Sequence, residues 1–431
     1  MLRSLFLLAA LGLASGPALA QASNDYGSAY SRFALGQRYD FSTSQAEAMG
    51  LAGVAIRSGI YNGLANPALG ADQSLTTFTA SAGVRGVRST DAADATSEAT
   101  AGDLGLVQLG IPLYPGRTGL TLAYRPYSRV DYRAAEEGEI AIDGDDPTPY
   151  RANLEGQGGL QRLSIGIGTR IGDVLTVGAS AEALVGTVEY LQRTEFPEGG
   201  SAFLETRESL STRMYGFTGT FGAAASLRNL GREADALTLS AAFTLPTKLN
   251  ASRSSLLGAN LDRDTLSTQS DGDVTVPLTA RGGISYQYSP KFLVATDVVY
   301  EPWQDFESDF AFGGYDASGA SDLRSRWRVG AGLEWVPGGG ERNASYFQRV
   351  NYRLGAYTET GFMSPEAQDV MTYALTGGLS LPTRVAGARV DLGFEVGTRG
   401  ETEGVLVRDR FWRGTFTFNF GERWFIRRRL G

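Results

Sequence analysis

The 431-residue chain contains neither histidine nor cysteine. Ser-His and Cys-His nucleophilic pairs therefore cannot form, and neither can His- or Cys-ligated metal sites. What remains for chemistry is carboxylate, arginine and two lysines, Lys248 and Lys291. The acidic stretches "IDGDDPTP" (142–149) and "DGD" (271–273) could hold divalent cations at a surface. The first lacks the alternating acids, the Gly and the later Glu of a calcium loop, so both read as solvated loops. "GIGTRIG" (166–172) misses the spacing of a dinucleotide fingerprint. The chain is expected to be no enzyme and to carry no cofactor and no metal. One stretch could do binding chemistry: residues 300–319 interleave Trp303, Phe306, Phe310, Phe312 and Tyr315 with five acids. Exposed, those rings would capture an apolar ligand; folded together, they would make the loop its own small core.

Those side chains need elements to position them. The first residues read as an export signal. Arg3 begins it, an apolar run from Leu5 to Leu13 follows, and Ala18-Leu19-Ala20 places a cut near Ala20. The formal charge of −8 argues against nucleic-acid binding. No later segment offers the 18 consecutive apolar residues of a membrane helix. Period-two alternation takes its place. In 326–336, Trp327, Val329, Ala331, Leu333 and Trp335 share one face, opposite Arg326, Arg328, Gly330, Gly332 and Glu334. Eight residues separate the two tryptophans. At about 3.3 Å per residue and a tilt of about 40°, that spans roughly 20 Å, close to the band between aromatic girdles of a membrane barrel.

The same alternation recurs at 236–245, 278–288, 390–397 and 411–420. Extended along the chain, it predicts fourteen strands: 74–84, 102–113, 117–133, 150–169, 174–191, 208–227, 236–249, 273–288, 291–303, 325–336, 348–358, 370–382, 389–399 and 409–420. Connections after odd-numbered strands are mostly long and those after even-numbered strands mostly short, with 337–347 the exception. That is the outer-membrane arrangement, with both termini periplasmic. The expected fold is all-β: a 14-stranded antiparallel transmembrane β-barrel with an N-terminal plug segment. The expected division is 1–20 signal peptide, 21–72 plug, 73–420 barrel and 421–431 periplasmic tail.

Inside such a barrel, Arg281, Arg326, Arg328, Arg353 and Arg413, with Arg125 and Arg349, fall on inward positions. They are ordinary solvated lumen residues or, in a second reading, anion selectors. Residues 21–72 are too many for a plain leader. "SQAEAMGLAGVA" (44–55) has helical stretches, with Ser42 or Ser44 as N-cap, broken up by Gly50, Gly53 and Gly59. "YNGLANPALG" (61–70) follows, and Pro67 disfavours helix at Asn66. A small, glycine-rich, partly apolar segment fits inside the barrel as a gate, with lumen side chains bonding its backbone. A tail packed beneath the barrel is the alternative.

The run "AMGLAGVAIRSGIYNGLANPALG" (48–70) resembles the front segment of the FadL-type family of outer-membrane transporters of hydrophobic compounds, through Gly50, Ala52, Gly53, Ala55, Asn66, Pro67 and Ala68. The tail "ERWFIRRR" (422–429) resembles the ends of outer-membrane proteins of Bacteroidetes. The resemblance implies passive uptake of hydrophobic compounds such as long-chain fatty acids or aromatic hydrocarbons, with Gly50, Gly53, Asn66, Pro67 and Ala68 in the gate. It assigns no position to the family's ligand pocket or to its inward-kinked strand. The implied surroundings are the outer membrane of a Gram-negative bacterium. The implied partners are a hydrophobic small molecule, outer-membrane lipid and lipopolysaccharide, and the barrel-assembly machinery during biogenesis. Two other readings stand beside transport: a barrel of this family serving as a secretion-associated shuttle or anchor, and a general diffusion porin.

Overall fold

A computed structural model describes residues 27–40, 42–140, 148–196, 205–232, 234–259, 266–385 and 387–423. The predicted signal sequence and most of the C-terminal tail lie outside these residues. Fourteen antiparallel strands close on themselves: β1 (Thr76–Thr90), β2 (Thr96–Tyr114), β3 (Thr118–Pro126 and Ser128–Ile140), β4 (Thr148–Ile171), β5 (Leu175–Glu195), β6 (Thr206–Arg228), β7 (Ala236–Thr244 and Thr247–Gly258), β8 (Leu266–Val276 and Thr279–Ser289), β9 (Phe292–Pro302), β10 (Ser325–Trp335), β11 (Asn351–Thr360), β12 (Met371–Pro382), β13 (Arg389–Arg399) and β14 (Arg408–Glu422). Closure is made by β14 on β1, from Arg408 opposite Thr90 to Glu422 opposite Thr76. Each predicted strand is found. The strands run further outward than the alternation suggested, so much of 85–101 is ladder closed by a short turn at 91–95.

The alternation is what builds the wall. Trp327, Val329, Leu333 and Trp335 are exposed, while Arg326, next to Trp327, is 1% exposed. In β14, Trp412 and Phe416 face out and Thr415, Thr417 and Asn419 are buried. With bilayer rather than water outside, the usual inside-out order inverts: the apolar face meets lipid and the polar face packs within. Trp335 stacks with Phe292 and Tyr352 at one rim, and Trp327 with Tyr300 at the other, forming belts.

The wall is uneven. β4, β5 and β6 have 24, 21 and 23 residues, whereas β9 to β13 have 10 to 12. The long strands rise past the outer belt on one side. On the other, the connection between β9 and β10 folds inward. Residues 27–72 occupy the lumen. They begin high, where the Gly27 N–H bonds the Asp131 carbonyl, and descend to the opposite rim before β1.

Candidate functional site

The lumen and the segment that fills it, the hatch, form the site. The upper hatch opens on a 3-10 turn (Ala29–Arg32) capped by Ser28. A two-residue strand, Gln37–Arg38, then pairs with Arg129 and Ser128 of β3. Tyr30, Phe33 and Leu35 enter an apolar cluster with Trp303, Phe306, Phe310, Phe312 and Phe362. Trp303, Phe306, Phe310 and Phe312, offered as ligand-capturing residues or as a small core, are therefore 1–7% exposed, and Tyr315 is half-buried. Trp303 sits 5.0 Å from Phe362 and 5.9 Å from Phe306, centroid to centroid. These rings bury more apolar surface against each other and against the hatch than they could in water. The loop is a lid over the hatch, not an open collecting surface.

Below the cluster lies a band of buried charge. Arg38 of the hatch donates to both oxygens of Glu301, at 3.2 and 2.8 Å. Arg326 donates to Glu301 at 3.0 Å and Glu359 at 2.8 Å, and also to Asp40 of the hatch. Arg328 lies 3.5 Å from Asp40, with its guanidinium 3.8 Å above the Tyr357 ring. Arg353 bonds Glu334 at 2.6 Å and the Tyr61 hydroxyl at 3.0 Å. Arg413 bridges Glu47 of the hatch and Glu395 of the wall, at 2.7 and 2.6 Å. Burial opposes ionisation of Asp40, but the guanidiniums of Arg326, Arg328 and Arg38 outweigh it and hold its carboxyl far below the usual range. Of the five predicted lumen arginines, four are thus latched to carboxylates, three of them to carboxylates of the hatch and the fourth, Arg353, also to its Tyr61 hydroxyl. Arg281 differs: it donates to the Thr244 hydroxyl at 2.9 Å. Arg349 lies in the inner-rim connection, in a 3-10 turn. The sequence marks arginines as inward but not their partners, because Asp40 and Arg326 are 286 residues apart.

The helix α1 (Ser44–Ala48) is capped by Thr43, whose hydroxyl accepts from the Ala46 N–H at 3.1 Å, rather than by Ser42 or Ser44. Past it, the chain turns at Gly50 and Gly53, both with positive φ (71° and 83°), which glycine adopts without strain. The turn presents the N–H groups of Ala52, Gly53 and Val54 to the buried carboxylate of Asp297, at 3.3, 2.8 and 3.4 Å. Lower down, Asn66 caps a 3-10 turn (Pro67–Asp72) with Pro at its start. Its amide donates to Ser240 at 2.6 Å and to the Ala223 carbonyl at 3.2 Å. Ala68 lies against Gly178, where a Cβ would meet the Ala68 amide at 2.5 Å. A Cβ at Gly222 would collide with the Asn66 side chain. The five predicted gate residues thus occupy two places, a turn in the mid-lumen and a seat at the inner rim.

One feature of the wall escaped the sequence reading. β3 breaks at Tyr127. Below the break, β2 and β3 pair as far as Val107 and Tyr124. Above it, β2 pairs only with β1, and the upper half of β3 pairs with β4 and, at Ser128 and Arg129, with the hatch. The two facing edges leave a seam. The signal was Pro126, which cannot donate to a ladder and here closes the paired half of a central strand. Trp412 is level with Gly86 and Thr100, so the outer belt crosses β2 six residues above Leu106. The seam therefore begins about 15 Å below that belt, near the middle of a band about 25 Å tall, and runs up through the outer leaflet. From inside, the hatch closes it: the Asp131 carbonyl accepts from the Gly27 N–H, and its N–H donates to Ser31. Outside, directly below, an apolar groove of about 520 Å³ runs across β1 to β6, between Phe78 and Phe217 and over Leu122, Leu163 and Ile165.

Two luminal cavities lie along the hatch. One, of about 110 Å³, is lined by charged groups including Glu47, Arg328, Glu395 and Arg413. The other, of about 10 Å³, lies beneath the break in β3. Both are smaller than the roughly 300 Å³ at which ligand pockets begin.

A family model described as BamG matches residues 1–431. No match was found among curated protein sequences. The fold is similar to that of the Ralstonia pickettii toluene transporter TbuX (TM-score 0.58, 16% identity, 89% of this chain and 98% of that one). It is also similar to a Pseudomonas aeruginosa FadL homologue (0.57, 10%, 89% and 99%) and to the Pseudomonas putida toluene transporter TodX (0.54, 13%, 90% and 100%). At these identities the likeness is one of fold.

Proposed function

The chain belongs to the BamG family, and from that premise and the shape of its wall we propose that it is an outer-membrane barrel that passes hydrophobic compounds sideways into the bilayer. The observation that carries this reading is the seam between β2 and β3, which runs through the outer leaflet above an apolar groove and is covered from inside by the upper hatch. The toluene transporters that share the fold support it. A greasy molecule crosses a polar lipopolysaccharide layer poorly, whereas burial in an apolar path returns about 25 cal/mol per Å². Release of residues 27–38 would open the seam while the inner rim stays shut. The substrate is an apolar molecule or an amphiphile with a long apolar part.

The test is uptake of labelled toluene and labelled oleate by cells with and without the protein. Uptake should fall in its absence and when Pro126 and Tyr127 are replaced by strand formers that let the β2–β3 ladder close. Equal uptake in all three strains would end the proposal. A second reading has its own support. The family name points to outer-membrane barrel assembly, and the lumen is latched by buried ion pairs with no apolar chamber among the cavities described. In that reading the barrel is a fixed partner of the assembly machinery. It predicts co-isolation with that machinery in mild detergent and uptake unaffected by deletion.

A further inference from the structure

The two edges that face each other across the seam are treated differently. From Val107 to Gly110, β2 is paired on both sides; above Val107, among the described residues, only β1 pairs with it. The change comes at a bulge. Ser81 faces Leu106 and Ala82 faces Leu104, which leaves Gly105 without a partner on β1. Bulges bend a strand and end its pairing, and this one stands where the seam begins. On the opposite side the hatch strand pairs with Ser128 and Arg129 of β3. The next seam residue, Asp131, donates its N–H to Ser31 and accepts from the Gly27 N–H at its carbonyl. Among the described residues, no strand pairing joins the hatch to β2. Arg85 of β1 ion-pairs with Asp131, so side chains rather than a ladder connect the two walls of the seam.

Above the membrane, water satisfies a free strand edge. Between Leu106 and Thr100 the β2 edge runs through hydrocarbon, where each unpaired N–H or C=O is costly. An apolar molecule in the seam cannot relieve that cost, because an alkyl chain or an aromatic ring offers no matching donors and acceptors. A polypeptide strand offers both, at the spacing of the edge. We propose that the β2 edge between Thr96 and Gly105 is a docking site for an extended segment of another protein, added to the wall as a strand. The hatch strand on β3 is the precedent within this fold: one side of the seam already carries an added strand. Parity sets the pattern of the partner. Its side chains beside the exposed Leu104 meet lipid and are apolar, while those turned toward Arg85 and Asp131 are polar or small. The partner segment is thus patterned like a strand of a membrane barrel. This site stands on the edge alone and goes beyond the passage of hydrophobic compounds, so a negative uptake assay leaves it standing.

The experiment uses the full mature barrel in non-ionic detergent. The probe is a fluorescent peptide with the eleven-residue sequence of β10, SRWRVGAGLEW. It should bind saturably. An added strand bonds its neighbour through alternate residues only. N-methylation of one alternate set should therefore weaken binding about tenfold or more, and of the other set only slightly. The chain contains no cysteine, so single ones can be introduced cleanly. With Val329→Cys in the peptide, Leu104→Cys in the barrel should form a disulfide under mild oxidation, and Ile165→Cys should not. The two positions are similarly exposed, at 52% and 49%, but Ile165 lies on β4 where both edges are paired. Replacing Pro126 and Tyr127 by strand formers should abolish binding and cross-linking together. Heat-modifiable migration on gels reports whether that variant closes its barrel; if it does not, the methylated peptides and the cysteine pairs carry the test. Equal binding by the parent and both methylated peptides would overturn the proposal and assign the seam to apolar molecules. Equal cross-linking at Leu104 and Ile165 would overturn it as mere adhesion to the apolar wall. A Leu104→Cys dimer that excludes the peptide would overturn it in favour of a second copy of this chain.

Discussion

The two ends of the hatch are held by different physics. The upper end, residues 27–40, is held mainly by side chains, an aromatic cluster under the β9–β10 lid and the shared carboxylates of Glu301 and Asp40, beside a short backbone pairing with β3. The lower end, residues 61–72, adds close backbone fit to its side-chain contacts, among them Asp72 with Arg170 at 2.6 Å and the Tyr61 hydroxyl with Arg353. Its 3-10 turn lies on Gly178 and Gly222, and Asn66 and Asn62 satisfy neighbouring carbonyls and hydroxyls. Side-chain contacts can be exchanged one at a time, by a rotamer change or by a competing ligand. A seat of closely approaching backbone yields only as a whole. In the proposed opening, the upper end, which covers the seam, is the end that releases, and the inner rim is the end that stays closed.

This difference can be broken from either side. The largest effect is expected for Glu301→Ala, which takes the carboxylate from buried Arg38 and removes one of the three that Arg326 shares. Undocking of the upper hatch should be eased by about 3–5 kcal/mol. Limited proteolysis should then cut near residues 27–40 and spare 61–72. Next comes Trp303→Ala, which opens a cavity under the lid at a cost of about 3 kcal/mol. Hydrogen exchange should quicken at Phe33 and Leu35 while the N–H groups of Ala52 and Gly53, held by Asp297, stay protected. From the other side, Gly222→Val pushes against Asn66 and should cost about 1–3 kcal/mol. The readout is ion conductance in planar bilayers, which should rise for this variant and remain at baseline for Trp303→Ala. The smallest effect is expected for Asn66→Ala, a lost cap worth about 1 kcal/mol. It should raise exchange at Ala68 and leave conductance near the wild-type value. Conductance that rose as much for Trp303→Ala as for Gly222→Val would remove the distinction between the ends.

What could be read ahead of the structure followed one rule. Strand number, the outward tryptophans and the inward arginines all follow from parity along a single strand, which needs no knowledge of neighbours. The readings that stayed open or were missed depend on neighbours. The aromatic residues of 303–312 look exposed in a loop until Phe33, Leu35 and Phe362 are brought to them. Pro126 is visible in the sequence, but a proline marks only a missing donor. Whether the ladder re-forms past it depended on the hatch strand bonding β3 in place of β2. Arg281 and Arg326 look alike in sequence and differ completely in partners.

The sequence by itself determined that this chain closes a fourteen-stranded barrel with an apolar exterior, that it lacks the histidine and cysteine of common catalysis, and that a glycine-rich segment precedes the wall. Only the tertiary structure decided where that segment docks, which arginines are latched and which surround a cavity, and where the wall parts. The reason is range. Alternation and composition act between residues a few positions apart, whereas ion pairs, the lid and the seam join residues tens to hundreds of positions apart, and such contacts are set only when the barrel has closed around its hatch.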